Sequence, residues 1–325
     1  MPHSEKDLLV ASQIAYFDLG DDFEDRTLSD ILAGRPEMRH NLMSKLNNEK
    51  DELKKISLQK SIDLYDEITN DSSKYGSWVI KSVKDDNKKS GFYGCLIETG
   101  ENEAIVGFRG SEPFSDMHHL RTDWLEADLA LLNSTLTRQQ KEAEKFMKEL
   151  SKSKFINKYN NISVTGHSLG GNLAMHATLT APEPLQSKIK QCYNLDGPGV
   201  SNEYLSAHKD IIKKYGYKIA HIQWSPVGAI LNPIPNSQYR SIKTNDRVYK
   251  SYNISKVIQK HDTCFVEFDG ESFVRGEMDP ISKFIGILSR LIDHHPGSWK
   301  LKLAREYYER VLVPDRKSTR LNSSH

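Results

Sequence analysis

The sequence predicts an α/β fold: a mostly parallel central sheet flanked by helices, antiparallel strands at its N-terminal edge, and a helical N-terminal region. Three observations predict it. From about Val164 onward, β-rich and helical runs alternate, the pattern of strands joined by helical crossovers. Between Ser77 and Gly110, three short β-rich runs follow one another with only turn-forming residues between them. Before them, the first 70 residues carry apolar side chains at helical spacing.

Taken in order, "LLVASQIAYFDL" has a period near 3.6, and "LQKSIDLYDEI" repeats it after the charged stretch "NNEKDELKK". "SWVIKSV", "GFYGCLIET" and "EAIVGFRG" are the three β-rich runs, separated by "KDDNKKSG" and "TGENE". "TRQQKEAEKFMKEL" opens with Thr137 and has Gln140 three residues later, a capping box, with Ala143, Phe146, Met147 and Leu150 on one helical face. "NISVTG" reads as the next strand, Leu169 to Leu179 as a helix, "QCYNLDGPG" as a strand ending in a turn, and "YKIAHIQW" as another strand. "EYLSAHKDIIKKYG" reads as one polar helix and "KFIGILSRLI" as an amphipathic one. The expected organisation is a helical region over 1–70 packing on an α/β domain over 71–314, with 315–325 set apart. Those last eleven residues, "DRKSTRLNSSH", have no apolar periodicity and resemble the in-frame translation of a sequencing adapter, so they are expected to be non-native.

Composition excludes several functions. Of 325 residues, 37% are hydrophobic and 27% charged, and the formal net charge is +1 with both signs interspersed. That balance argues against nucleic acid as a partner, because such surfaces carry a basic excess. No apolar run approaches the roughly 18 residues of a membrane span, and the first twenty residues lack the basic-then-apolar order of a secretory signal. Cys95, Cys192 and Cys264 are widely spaced among apolar or aromatic neighbours and read as buried free thiols. A cytoplasmic protein is expected.

The chemistry centres on Gly166-His167-Ser168-Leu169-Gly170, preceded by the β-branched "ISVT" and followed by a helix former, "LAMHATL". A serine on a sharp strand-to-helix turn stands clear of the sheet, and the helix behind it aims unpaired N–H groups at developing negative charge. An ordinary glycine-rich turn is the alternative, and the flanking strand and helix argue against it. A serine hydroxyl needs a base, and in folds with this elbow the chain order is serine, acid, histidine. Of the histidines after Ser168, His176 and His208 fall in helices, His221 alternates with apolar residues in a strand, His294 and His295 follow a helix, and His325 belongs to the odd tail. His261, in "IQKHDTCFVEFDG", comes in a loop before a β-rich run and is the expected base.

Together, "AIVGFRGSEP", "TDW", "VTGHSLGGNLA" and "NLDGPGV" resemble the class 3 lipase branch of the α/β-hydrolases, and a bacterial lipase-like subgroup within it. The resemblance runs from about Ser77 to Gly270, and the N-terminal "SQIAYFDL" suits the same subgroup. It implies an α/β-hydrolase fold and a serine esterase or lipase that forms an acyl-enzyme on Ser168. It also implies an oxyanion hole from the N–H groups of Ser111 and Leu169. Asp123 and Trp124 correspond to a structural pair of the family, and "EPFSDMHHLRT" to a candidate lid, whose His118-His119 lacks the company of a metal site. No cofactor or metal is implied. The implied partner is an ester or lipid substrate, with transient contact at a lipid surface and no transmembrane segment.

One departure stands out. The family carries its acid in an Asp-Pro-Val-like stretch, whereas here "QWSPVG" has Ser225. Asp196, at the end of the strand after the nucleophile helix, is the best replacement, since other α/β-hydrolases place their acid there. Asp246 and Asp262 are weaker candidates, and Asp196 also suits a turn-forming residue before Gly-Pro-Gly. The Ser225 departure supports a second reading, a non-catalytic interaction protein on a hydrolase scaffold.

Overall fold

The computed structural model describes residues 3–17, 19, 23–70, 73–86, 90–110, 136–245 and 259–294. Ser111, Asp123, Trp124, the candidate lid, Asp246 and the stretch 315–325 all lie outside the described residues.

Among the described residues, seven strands form one sheet in sequential order: β1 (Val79–Asp86), β2 (Phe92–Gly100), β3 (Glu103–Phe108), β4 (Asn161–His167), β5 (Ile189–Leu195), β6 (Ile219–Gln223) and β7 (Gln238–Ser241). The first three pair antiparallel, and every pairing from β3 to β7 is parallel. That is a mostly parallel α/β sheet with antiparallel strands at its N-terminal edge.

Strand periodicity sorts side chains onto two faces. Phe92 and Leu96 of β2, Ala104, Val106 and Phe108 of β3, and Ile162 and Val164 of β4 face one core. That core is closed by α5 (Arg138–Lys152), α6 (Leu169–Thr180) and the short α7 (Glu183–Gln186), α8 (Asn202–Ala207) and α9 (Lys209–Tyr215). Tyr93, Cys95 and Ile97 of β2 and Ile105 of β3 face the other core. It is closed by α1 (Glu5–Ile14), α2 (Leu28–Ala33) and α4 (Glu52–Thr69), with α3 (Pro36–Asn48) packed on α4.

The capping boxes explain where two of these helices begin. Ser4 and Asp7 close one at α1, and Thr137 and Gln140 close one at α5. Gln140 also ties the start of α5 to α6, its Nε2 donating to Asn172 Oδ1 at 2.9 Å. Residues Leu169 to Leu179 of α6 are all buried, so this helix is apolar all round rather than amphipathic. It lies inside the protein, between the sheet and α5.

Two expectations need correction. The polar stretch expected as one helix is broken at His208, whose ring stacks on Tyr204 at 4.0 Å and whose backbone leaves helical geometry (φ −112°, ψ 18°). Cys95 and Cys192 are buried free thiols, but Cys264 is only partly buried, because in the short 3-10 turn Thr263–Phe265 its two neighbours take the buried positions. Among the described residues, no helix is long and apolar enough to cross a membrane. No group of three histidine, cysteine or acidic side chains there is placed to hold a metal ion.

Candidate active site

Ser168 sits at the C-terminal end of β4 with φ 61° and ψ −136°, a conformation rarely held by a residue with a side chain. The two flanking glycines make the turn possible. A Cβ on Gly166 would run into the carbonyl of Gly170, and one on Gly170 into the carbonyl of Phe108. The backbone is secured from the neighbouring strand, since Ser168 N–H donates to Leu195 O at 3.0 Å. Leu169 opens α6, so its N–H belongs to the set at a helix start with no acceptor inside the helix.

Asp196 follows Leu195 directly at the end of β5 and also has a positive φ, 50°. Its side chain is fully buried. Oδ1 accepts from the N–H groups of Trp224 (2.8 Å) and Ser225 (3.0 Å), and Oδ2 lies 2.8 Å from His261 Nδ1. The Asx-type turn bond here is made by a different residue: Asn194 Oδ1 accepts from Gly197 N–H at 2.8 Å. Asp196 is thereby left to face β6 and His261.

Ser225 caps α10 (Pro226–Ala229) by accepting from Val227 N–H at 3.2 Å. Its Oγ is also 3.4 Å from His261 Nδ1, so Asp196 and Ser225 address the same ring nitrogen from adjacent strands. Asp262 faces elsewhere. It accepts from the Ser57 hydroxyl and from Cys264 N–H, capping the turn that follows.

His167 is a residue that sequence reasoning passed over. It is buried, its Nε2 lies 2.8 Å from the carbonyl oxygen of His261, and its ring packs on the His261 ring at 4.3 Å and parallel to Trp224 at 5.8 Å. It therefore ties the backbone of His261 to the residue that precedes Ser168. Its place between Gly166 and Ser168 in the elbow was the one available signal. The other helix and strand histidines are engaged. His176 joins Tyr204 (2.7 Å) and Glu144 (3.1 Å), and His221 faces the carbonyls of Gly197 and Gly228.

Electrostatics follow from burial. Desolvation pushes the His261 imidazole down to about 3 and His167 to about 3, the latter helped by the neighbouring His261. Burial raises Asp196 to about 6, although hydrogen bonds from Ser225 and Trp224 pull it the other way. At neutral pH the pair is therefore a neutral imidazole and a carboxylate. With Nδ1–H donated to Asp196, Nε2 carries the lone pair, the tautomer a general base requires.

Residues 72–312 match the family model described as Mbeg1-like. No curated protein matches the chain. Solved structures that resemble it include two lipases. A fungal lipase crystal structure is 14% identical, covers 73% of this chain and 78% of its own, and has a TM-score of 0.40. The crystal structure of M37 lipase is 15% identical, covers 90% of this chain and 91% of its own, and has a TM-score of 0.36.

Proposed function

The chain belongs to the Mbeg1-like family, and from that premise we propose that it is a serine hydrolase cleaving carboxylic esters through an acyl-enzyme on Ser168. The observation that carries this reading is the carboxylate–imidazole pair, Asp196 Oδ2 to His261 Nδ1 at 2.8 Å, at the sheet edge where strained Ser168 is presented. In the proposed reaction, His261 Nε2 takes the Ser168 proton as Oγ attacks the ester carbonyl, and Asp196 stabilises the imidazolium. The proton then passes to the leaving alkoxide as the C–O bond breaks. Water, deprotonated by the same imidazole, releases the acid and frees Ser168. The N–H of Leu169 holds the oxyanion at the positive end of α6, with Ser111 as the second donor that the family resemblance implies. This chemistry needs no metal or organic cofactor. The substrates that fit it are lipid or soluble esters, with transient contact at a lipid surface for the former. Ser225, which favours a non-catalytic reading, stands beside a carboxylate that addresses the same nitrogen, and so weighs less.

The test is covalent labelling. A fluorophosphonate probe should add once per chain, at Ser168, as read by intact and peptide mass spectrometry. No adduct, or an adduct on another serine, overturns the reading.

The protonation states set a pH profile. Proton uptake by the Asp196–His261 pair removes the base, so activity is present above the pair's apparent pKa and lost below it. With Asp196 at about 6, kcat/KM on a p-nitrophenyl ester should be flat above neutrality and fall as pH drops through about 6. An acid limb centred above about pH 7.5 would count against this pairing.

A further inference from the structure

The N-terminal helix and the turn that follows it lie outside the region matched by the family model, which begins at residue 72, yet they reach all three pieces of the site. Thr165 Oγ, three residues before Ser168, donates to the Leu8 carbonyl at 3.2 Å. Gln13 Nε2 donates to Thr263 Oγ at 3.0 Å, two residues after His261. The N–H of Gly110, the residue before Ser111, donates to the hydroxyl oxygen of Tyr16 at 3.3 Å.

The last contact is the informative one. A Cβ placed on Gly110 would lie 3.0 Å from the Tyr16 hydroxyl, 3.2 Å from the His167 carbonyl oxygen and 3.2 Å from the Leu169 nitrogen. The phenol oxygen and the Leu169 N–H thus converge on one small volume beside Gly110. The Tyr16 ring lies 6.4 Å from that of His167. Burial raises the phenol to about 12, so it stays neutral through the physiological range.

We propose that Tyr16 is a positioning residue of the oxyanion loop: by accepting the Gly110 N–H it fixes Gly110, the residue before Ser111, against the Leu169 N–H. The inference rests on the serine-hydrolase reading. An oxyanion hole works because its donors are aimed before charge develops. Without the phenol oxygen, the Gly110 N–H must turn to another acceptor, and the loop turns with it. A misplacement of about 1 Å near reacting groups can cost about 100-fold. The loss belongs to the transition state, because the ester carbonyl of the ground state makes little demand on those donors.

The experiment compares the full chain with Tyr16→Phe, using p-nitrophenyl butyrate turnover and inhibition by an alkyl trifluoromethyl ketone, whose adduct on a serine carries the oxyanion. Tyr16→Phe should lower kcat by about 10- to 100-fold and leave KM within about threefold. Ketone affinity should weaken by the factor lost from kcat/KM, while the melting temperature stays near that of the parent. Gly110→Ala presses on the same three atoms and should cause a similar loss, and the double variant should lose less than the product of the two. Unchanged turnover and ketone affinity in Tyr16→Phe overturns the inference. So does a loss that appears only as a lower melting temperature or only in KM. If the parent chain neither hydrolyses the ester nor binds the ketone, the serine-hydrolase reading falls and takes this inference with it, a result visible before any variant is made.

Discussion

Replacing Ser168 with alanine is expected to lower ester turnover by about 10⁶-fold and to abolish fluorophosphonate labelling, while the fold persists. In a serine–histidine–acid unit the nucleophile acts with its partners as one device, so its loss removes nearly all the covalent contribution. The fold should survive because Ser168 Oγ is not what shapes the turn. The backbone is set by Ser168 N–H on Leu195 O and by the close approaches at Gly166 and Gly170. Alanine keeps the Cβ at φ 61°, and therefore keeps the strain. Glycine removes it, and relief of about 1–3 kcal/mol should outweigh the added freedom of the unfolded chain, about 0.4–1 kcal/mol. Ser168→Gly should therefore be as inactive as Ser168→Ala and melt at a higher temperature. Strong labelling of either variant would place the nucleophile elsewhere. Equal melting temperatures would mean that the turn stores no strain.

That strain also explains why the elbow is legible in the sequence. A side chain held at positive φ between a buried strand and a buried helix leaves little choice at its neighbours, so the requirement is written locally, in two glycines and a β-branched lead-in. His261 is legible by exclusion, since the other histidines after Ser168 fall in regular elements, at a helix end or in the terminal tail. Two residues around the site are not legible in this way. His167 acts through the carbonyl of a residue 94 positions away, and Tyr16 through a glycine 94 positions away. Neither contact leaves a periodicity or a local motif, because each depends on how distant elements dock. The break at His208 is local by contrast: its ring stacks on Tyr204 and its Nδ1 lies 3.0 Å from the Tyr204 carbonyl oxygen, four residues back, yet no glycine or proline marks it. Asn194 is a subtler case. An aspartate before Gly-Pro-Gly invites a turn-forming reading, yet the side chain two residues earlier makes that bond. Local turn chemistry identifies the turn, and the left-handed backbone at Asp196 (φ 50°) sends its side chain to the Trp224 and Ser225 N–H groups, leaving the turn bond to Asn194.

The acid offers the sharpest remaining test. Asp196→Asn should reduce turnover by about 10³- to 10⁴-fold, as loss of a triad carboxylate does when geometry is preserved. Geometry should be preserved here, because an amide oxygen in the place of Oδ1 can still accept from the Trp224 and Ser225 N–H groups. The other position then becomes a donor. It forces His261 to present Nδ1 as an acceptor and moves the proton to Nε2, where it faces the nucleophile as the wrong tautomer. Ser225→Ala should cost far less. It removes an oxygen 3.4 Å from Nδ1 and one helix cap, but leaves the 2.8 Å carboxylate contact intact. Adding Ser225→Asp to the parent puts two carboxyl groups on one nitrogen, so one of them should take a proton and activity should persist. Adding it to Asp196→Asn restores a carboxylate from the next strand, and part of the lost turnover should return. Turnover of Asp196→Asn within about tenfold of the parent would assign the acid elsewhere. A larger loss in Ser225→Ala than in Asp196→Asn would move the decisive contact from β5 to β6.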